Sequence, residues 1–208
     1  MIKALLLIVR PIATWDWIVR AQRGVVFIAV FFLVPLLVLT SAGEAYGLVY
    51  WGKWQAPVLR LKMFPVGEAV VFEVMQFALS LGVVFLGAKL VKAVGETFHG
   101  RHTFQQAFTV VAYGLSPFFF LRLLDAVNGI SPWVSWAIGI SLAISALYHG
   151  VPRVMQPDPP QAFGLYVASS VLLVLITLLA RFITAWYLQG RFTKLEALIA
   201  SLGARLPF

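Results

Sequence analysis

Apolar residues in this chain gather in five long runs, each bounded by glycine, proline or charged residues. A helix rises about 1.5 Å per residue and a bilayer core is about 30 Å thick, so a spanning helix needs about 20 such residues. The pattern therefore predicts spans over Gly24–Thr40, Val66–Val94, Phe104–Leu124, Pro132–Val151 and Ala162–Gln189, with Pro35 kinking the first. The fold class expected is all-α: a polytopic membrane protein with five transmembrane helices and short interfacial helices at both ends. Residues 1–23 form the N-terminal segment, 24–190 the membrane domain and 191–208 an amphipathic C-terminal helix.

Polar residues mark several ends. Thr103 and Gln106 have the spacing of a capping box at the third span, as do Thr193 and Glu196 at the C-terminal helix. Ser131-Pro132 supplies an N-cap and a proline at the first helical position of the fourth span. Pro157-Asp158-Pro159-Pro160 is a stiff connector before the fifth. In the tail, Phe192, Leu195, Leu198, Ile199 and Leu202 recur at helical spacing up to Gly203, the pattern of a helix lying on a membrane surface. The N-terminal run Ala4–Val9 is too short for a signal-peptide core, and Arg10-Pro11 follows in place of a small-residue cleavage site. It reads as a retained interfacial segment, with Trp15 and Trp17 at headgroup depth.

Composition agrees with this picture. Of the 208 residues, 61% are hydrophobic and 12% charged, and the mean hydropathy is +0.91; soluble domains carry about twice that share of charge. The net charge of +8 comes from basic residues flanking the apolar runs, where they meet headgroups, so no stripe remains for nucleic acid. There is no cysteine, which excludes disulfides, thiolate nucleophiles and cysteine-ligated metals.

Charge bias alone leaves orientation open. With the N-terminus cytoplasmic, that side holds Lys3, Arg10, Arg20, Arg23, Lys89, Lys92, Arg101 and Arg153. The far side holds Lys53, Arg60, Lys62, Arg122, Arg191, Lys194 and Arg205, close to a tie. The far-side connection Ser41–Pro65 carries Tyr46, Tyr50, Trp51 and Trp54, which read as an aromatic belt holding a loop at the interface.

Ionisable groups within spans are costly unless paired, so they are the first functional candidates. Glu68 and Glu73 lie in the second span, Arg122 and Asp125 close the third, and Arg181 lies in the fifth. Glu73 is roughly 10 Å inside its span and Arg181 roughly 12 Å inside its own, on the same half of the bilayer. The expectation is a Glu73–Arg181 pair within a polar cluster of all five residues, binding spans two, three and five together. A wet cavity for an ion or small solute is the sharper alternative. Small residues (Ser80, Gly82 and Gly87 in the second span; Gly139, Ser141, Ala143, Ser145 and Ala146 in the fourth) allow close helix packing.

Glu96, His99 and His102 fall in the connection after the second span, and His149 ends the fourth on the same face. Imidazoles and a carboxylate from separate segments are suitable ligands for zinc, manganese or iron. The same residues also suit a pH-sensitive interfacial cluster or a plain solvated turn, and Gly100 interrupts the helix that would align His99 with His102. The plain turn is the simplest reading. No nucleophile elbow, His-Glu-x-x-His or phosphate-cradling glycine loop is present, so no cofactor and no catalysis are expected. Pro117 deprives the Tyr113 carbonyl of its helical donor, which predicts a kink or a bound water within the third span.

Taken in order, several segments resemble the Yip (Ypt-interacting protein) membrane-domain family in its bacterial branch. They are Pro11 with Trp15, Gly100-Arg-His-Thr-Phe-Gln-Gln-Ala-Phe108, Tyr113-x-x-x-Pro117, Tyr148-His-Gly-Val-Pro152 and Ala162-Phe-Gly-Leu-Tyr166. The resemblance implies a five-span helical protein with a cytoplasmic N-terminus and a C-terminus across the membrane. Eukaryotic relatives bind small GTPases through a long cytosolic N-terminal region; this chain has about 23 residues before its first span, so what carries over is the membrane domain. No catalytic residue carries over. The function expected is a non-enzymatic inner-membrane protein that organises the bilayer or membrane-protein partners, as a homo-oligomer. The alternative is a small transporter or channel built on the charged cluster.

Overall fold

A computed structural model describes residues 2–55, 60–98, 102–189, 191 and 193–204. Five helices are long and apolar enough to cross a membrane: Val25–Tyr50, Val66–Thr97, Phe104–Ala126, Pro132–Met155 and Pro159–Leu188. The chain is therefore a multi-pass, predominantly helical membrane protein. Two short helices, Ile2–Val9 and Pro11–Ala21, precede the spans, and Thr193–Gly203 follows them.

The third span is the hub. Its most apolar stretch is 72% buried, against 28% to 44% for the other four. It packs on the first, second and fourth spans, and the fifth closes the bundle against the second and fourth. The core around it joins Phe108, Val111 and Leu115 to Leu36, Val84, Leu147 and Leu173.

The first span runs ten residues past Thr40, the end expected from sequence. The stretch Ser41-Ala-Gly-Glu-Ala-Tyr-Gly reads as a loop, yet its glycines are what let the helix continue. A Cβ at Gly47 would collide with the backbone of Ala126, and one at Gly43 would collide with Leu123. Two glycines four residues apart thus bring this helix against the end of the third span. Earlier in the span, Pro35 is accommodated by a π-helical turn at Ala29–Leu33, where the Val34 N–H bonds five residues back to Ala29 O.

The third span is not one regular helix. Its ladder breaks at Leu115, and the Ser116 hydroxyl donates 2.6 Å to the Tyr113 carbonyl. That supplies from within the chain the donor which Pro117 removes. The span then tightens into a 3₁₀ turn over Arg122–Ala126. Side chains at i and i+3 align in such a turn, so Arg122 and Asp125 project together into the bundle.

At the far end, β1 (Lys53–Gln55) and β2 (Arg60–Lys62) form a small antiparallel hairpin pairing Lys53 with Lys62 and Trp54 with Leu61. A second apolar cluster there joins Leu48, Phe64, Phe72, Tyr187 and Ile199, fastening the C-terminal helix to the second span. At the opposite end, Trp15 is fully buried rather than presented to headgroups. Its Nε1 donates 2.9 Å to Ala146 O, and its ring fills the space that Gly150 leaves without a side chain. Trp17 stays partly exposed beneath Lys3, whose Nζ lies 3.6 Å from the ring centroid.

Candidate functional site

Two linked groups of buried charges occupy the far half of the bundle. In the first, Arg122 Nη2 donates to Glu44 Oε2 at 2.9 Å and to Glu73 Oε2 at 3.2 Å. Its Nη1 lies 3.3 Å from the Ser80 hydroxyl. Gln76 Nε2 donates 2.6 Å to the same Glu44 oxygen. The central 3₁₀ turn thus reaches carboxylates on both the first and second spans. Glu44 is fully buried, and Glu73, Gln76 and Arg122 are each at most 5% exposed.

In the second group, Arg181 Nη2 donates 2.7 Å to each oxygen of Asp125. Its Nε donates 2.9 Å to the Pro132 carbonyl. The Ser135 hydroxyl donates to Asp125 Oδ1 and accepts from Arg181 Nη2 at 2.8 Å. One guanidinium nitrogen thus serves both carboxylate oxygens, and the serine and the carbonyl add further bonds to the same charged group. This group links the third, fourth and fifth spans.

The five residues singled out from sequence are all buried polar groups, but their pairing differs from expectation. Glu73 bonds Arg122 and Arg181 bonds Asp125, so the expected Glu73–Arg181 pair is replaced by two separate pairs. Matching depths along two helices do not fix which side chains meet: the second and fifth spans pack together, yet Arg122 and Asp125 on the third take the two charges. Glu68 has its own partners, Lys62 Nζ at 2.9 Å and the Tyr187 hydroxyl at 2.9 Å. It ties the hairpin and the fifth span to the start of the second.

Sequence reasoning missed Glu44, Gln76 and Ser135. Glu44 was hidden by the loop-like reading of its surroundings; the i,i+4 glycines Gly43 and Gly47 were the available signal. Gln76 and Ser135 carry no charge and draw no notice until the helices are placed. Lys53 was also missed. Its Nζ donates to Val127 O at 2.8 Å and Ile130 O at 3.2 Å, just beyond the third span. Burial lowers the basicity of this ammonium, while Asp125 and then Glu44 oppose that shift by favouring the charged form.

The histidine group is arranged differently. Glu96 pairs with Lys92 at 3.1 Å, one helical turn away. His102 is buried against the second span, where a Cβ at Gly95 would strike its ring. His149 stacks edge-on to Tyr148 and accepts from Arg153 through its backbone carbonyl at 3.0 Å. His99 lies outside the described residues. Among the described residues, no group of three or more histidines and carboxylates is placed to hold a metal ion.

A family model described as Yip1 domain matches residues 5–181. No curated protein and no solved structure matches.

Proposed function

The chain belongs to the Yip1 domain family, and on that premise we propose that it is a non-enzymatic protein that organises the bilayer or neighbouring membrane proteins. The membrane proposed is a bacterial inner membrane, with the N-terminus cytoplasmic and the C-terminus opposite. The observation that carries the reading is the way the charges are used. Arg122 and Arg181 turn to carboxylates on other spans, and the cavity between the two groups measures about 30 Å³. That is room for about one or two water molecules. Such an arrangement braces helices together and offers little room for a solute.

Self-association is proposed through the outer face of the fourth span. Val134, Ile138, Ser141, Ser145 and Tyr148 are all exposed on it, and the two serines one turn apart allow another helix to approach closely. The other small residues largely serve the bundle itself: Gly139 packs on Phe118 and Gly87 on Leu173.

The test uses proteoliposomes and cysteine chemistry. Because the chain has no cysteine, Ser141→Cys and Ser145→Cys each introduce a single thiol. Disulfide-linked dimers in native membranes, together with no flux across an ion and small-solute panel, are the expected result. Solute flux that disappears in Glu73→Gln would replace this reading with a transport function.

A further inference from the structure

The Glu44–Glu73–Arg122 group holds two carboxylates to one guanidinium, and its unpartnered buried oxygens outnumber its one unpartnered donor, Arg122 Nε. The first span presents Ser41 and Glu44, and the second presents Glu73 and Gln76. Each pair is spaced i,i+3 and so lies on one helix face. Arg122 bonds the other oxygens of Glu44 and Glu73, and each of the four side chains keeps one buried oxygen without a hydrogen-bond partner: Ser41 Oγ, Glu44 Oε1, Glu73 Oε1 and Gln76 Oε1. All four residues are at most 9% exposed. Ser41 stands beside the Glu73 carboxylate, where its hydroxyl can donate to it while its lone pairs stay open to a cation.

The charges do not balance locally. Two carboxylates share one guanidinium, leaving one negative charge in excess. Arg181 is committed to Asp125, and the Lys53 ammonium, held by the Val127 and Ile130 carbonyls at the end of the bundle, acts on Glu44 only through space. Ser80, the remaining polar neighbour, lends its hydroxyl hydrogen to Gln76 O. A carboxylate left unneutralised at this depth is costly.

We infer that the oxygens of Ser41, Glu44, Glu73 and Gln76 form a binding site for one monovalent cation, a proton or an alkali metal ion. Four oxygen acceptors suit a hard cation. A single positive charge neutralises the group, whereas a divalent ion would leave an excess of the opposite sign.

The experiment compares the purified full chain with Glu44→Gln, Glu73→Gln and the double variant, in detergent. Glutamine keeps the shape of a neutral acid, so folding should survive. Infrared spectra in choline buffer report any protonated carboxyl, and dialysis against radioactive sodium and rubidium reports metal binding. If a proton occupies the site, the wild type shows a protonated-carboxyl band that the double variant lacks, and binds neither isotope. If an alkali ion occupies it, one ion binds per chain, the band is absent, and the thermal midpoint rises with sodium or potassium but not choline. Both responses should then be lost in Glu73→Gln. Wild-type protein with neither band nor bound isotope overturns the inference, as does a band or binding that persists unchanged in the double variant.

Discussion

Arg181 Nη2 lies 2.7 Å from both oxygens of Asp125, joining the fifth span to the third with neither side chain more than 4% exposed. Removing one partner leaves the other buried without its direct hydrogen-bonded counter-charge. Arg181→Ala and Asp125→Ala should each destabilise the detergent-solubilised fold by about 3–5 kcal/mol. The double variant should cost clearly less than the two added together, read as coupling in thermal or denaturant unfolding. Glu73→Ala combined with Arg181→Ala should come much closer to additive. Strong coupling there would mean that the two charge groups are not separate.

Arg122 serves two carboxylates, so its loss should exceed the loss of either one. Arg122→Gln leaves Glu44 and Glu73 facing each other, whereas Glu73→Gln leaves Arg122 with Glu44. The expected order of destabilisation is Arg122→Gln well above Glu73→Gln, by about 2 kcal/mol or more on the scale of buried-pair losses. Unfolding midpoints of the purified variants decide it; equal midpoints would remove Arg122 from its central position.

Ser116 takes over the duty of the amide that Pro117 lacks. Ser116→Ala should leave the Tyr113 carbonyl with only the Leu115 N–H, which it shares with Val111 O, at about 1 kcal/mol. Adding Pro117→Ala should restore part of that loss by returning a backbone donor. Thermal unfolding of the two single variants and the double variant tests this, and a double variant no better than Ser116→Ala counts against it.

Trp15 should be the anchor of the N-terminal helices. Trp15→Phe keeps most of the packing and loses the bond to Ala146 O, at about 1 kcal/mol. Trp15→Ala should cost about 3–5 kcal/mol and release Pro11–Ala21 from the fourth span. Protease protection of the N-terminal segment separates the two, since only the alanine variant should be cut early.

Docking of the first helix should depend on pH through Lys3. Its pKa is lowered from 10.5 to about 8 by burial and by the Arg23 charge. The released segment therefore binds more protons than the docked one between those values, and docking should strengthen as pH rises from about 8 to about 10.5. Below about pH 8 the cost of burying the ammonium is present in full. Protease protection followed across this range should rise for the wild type and stay flat for Lys3→Met.

Much of this architecture was legible because hydrocarbon imposes simple demands. Each span had to be about 20 apolar residues, and charged residues inside them had to find partners. The identity of those partners was not legible. Glu73 and Arg181 share a depth, but only the placement of the third span shows that Arg122 and Asp125 intercept them. The first span was read short for a related reason. Gly43 and Gly47 resemble loop residues until the chain they touch, Leu123 to Ala126, is in place. The Ser116 bond to Tyr113 is local and follows from spacing, yet nothing in the sequence distinguishes it from a bound water.

The 3₁₀ turn at Arg122–Ala126 also sets an order on biogenesis. As the chain is synthesised, Glu44 and Glu73 precede Arg122, so the first charge group can close once three spans have entered the bilayer. Asp125 arrives with that same turn, but its counter-charge is 56 residues further along the chain. Until the fifth span follows, Asp125 stands at the end of the third span without the guanidinium that completes its group. The nascent protein thus carries a built-in marker of incompleteness, silenced only when its last membrane crossing is made.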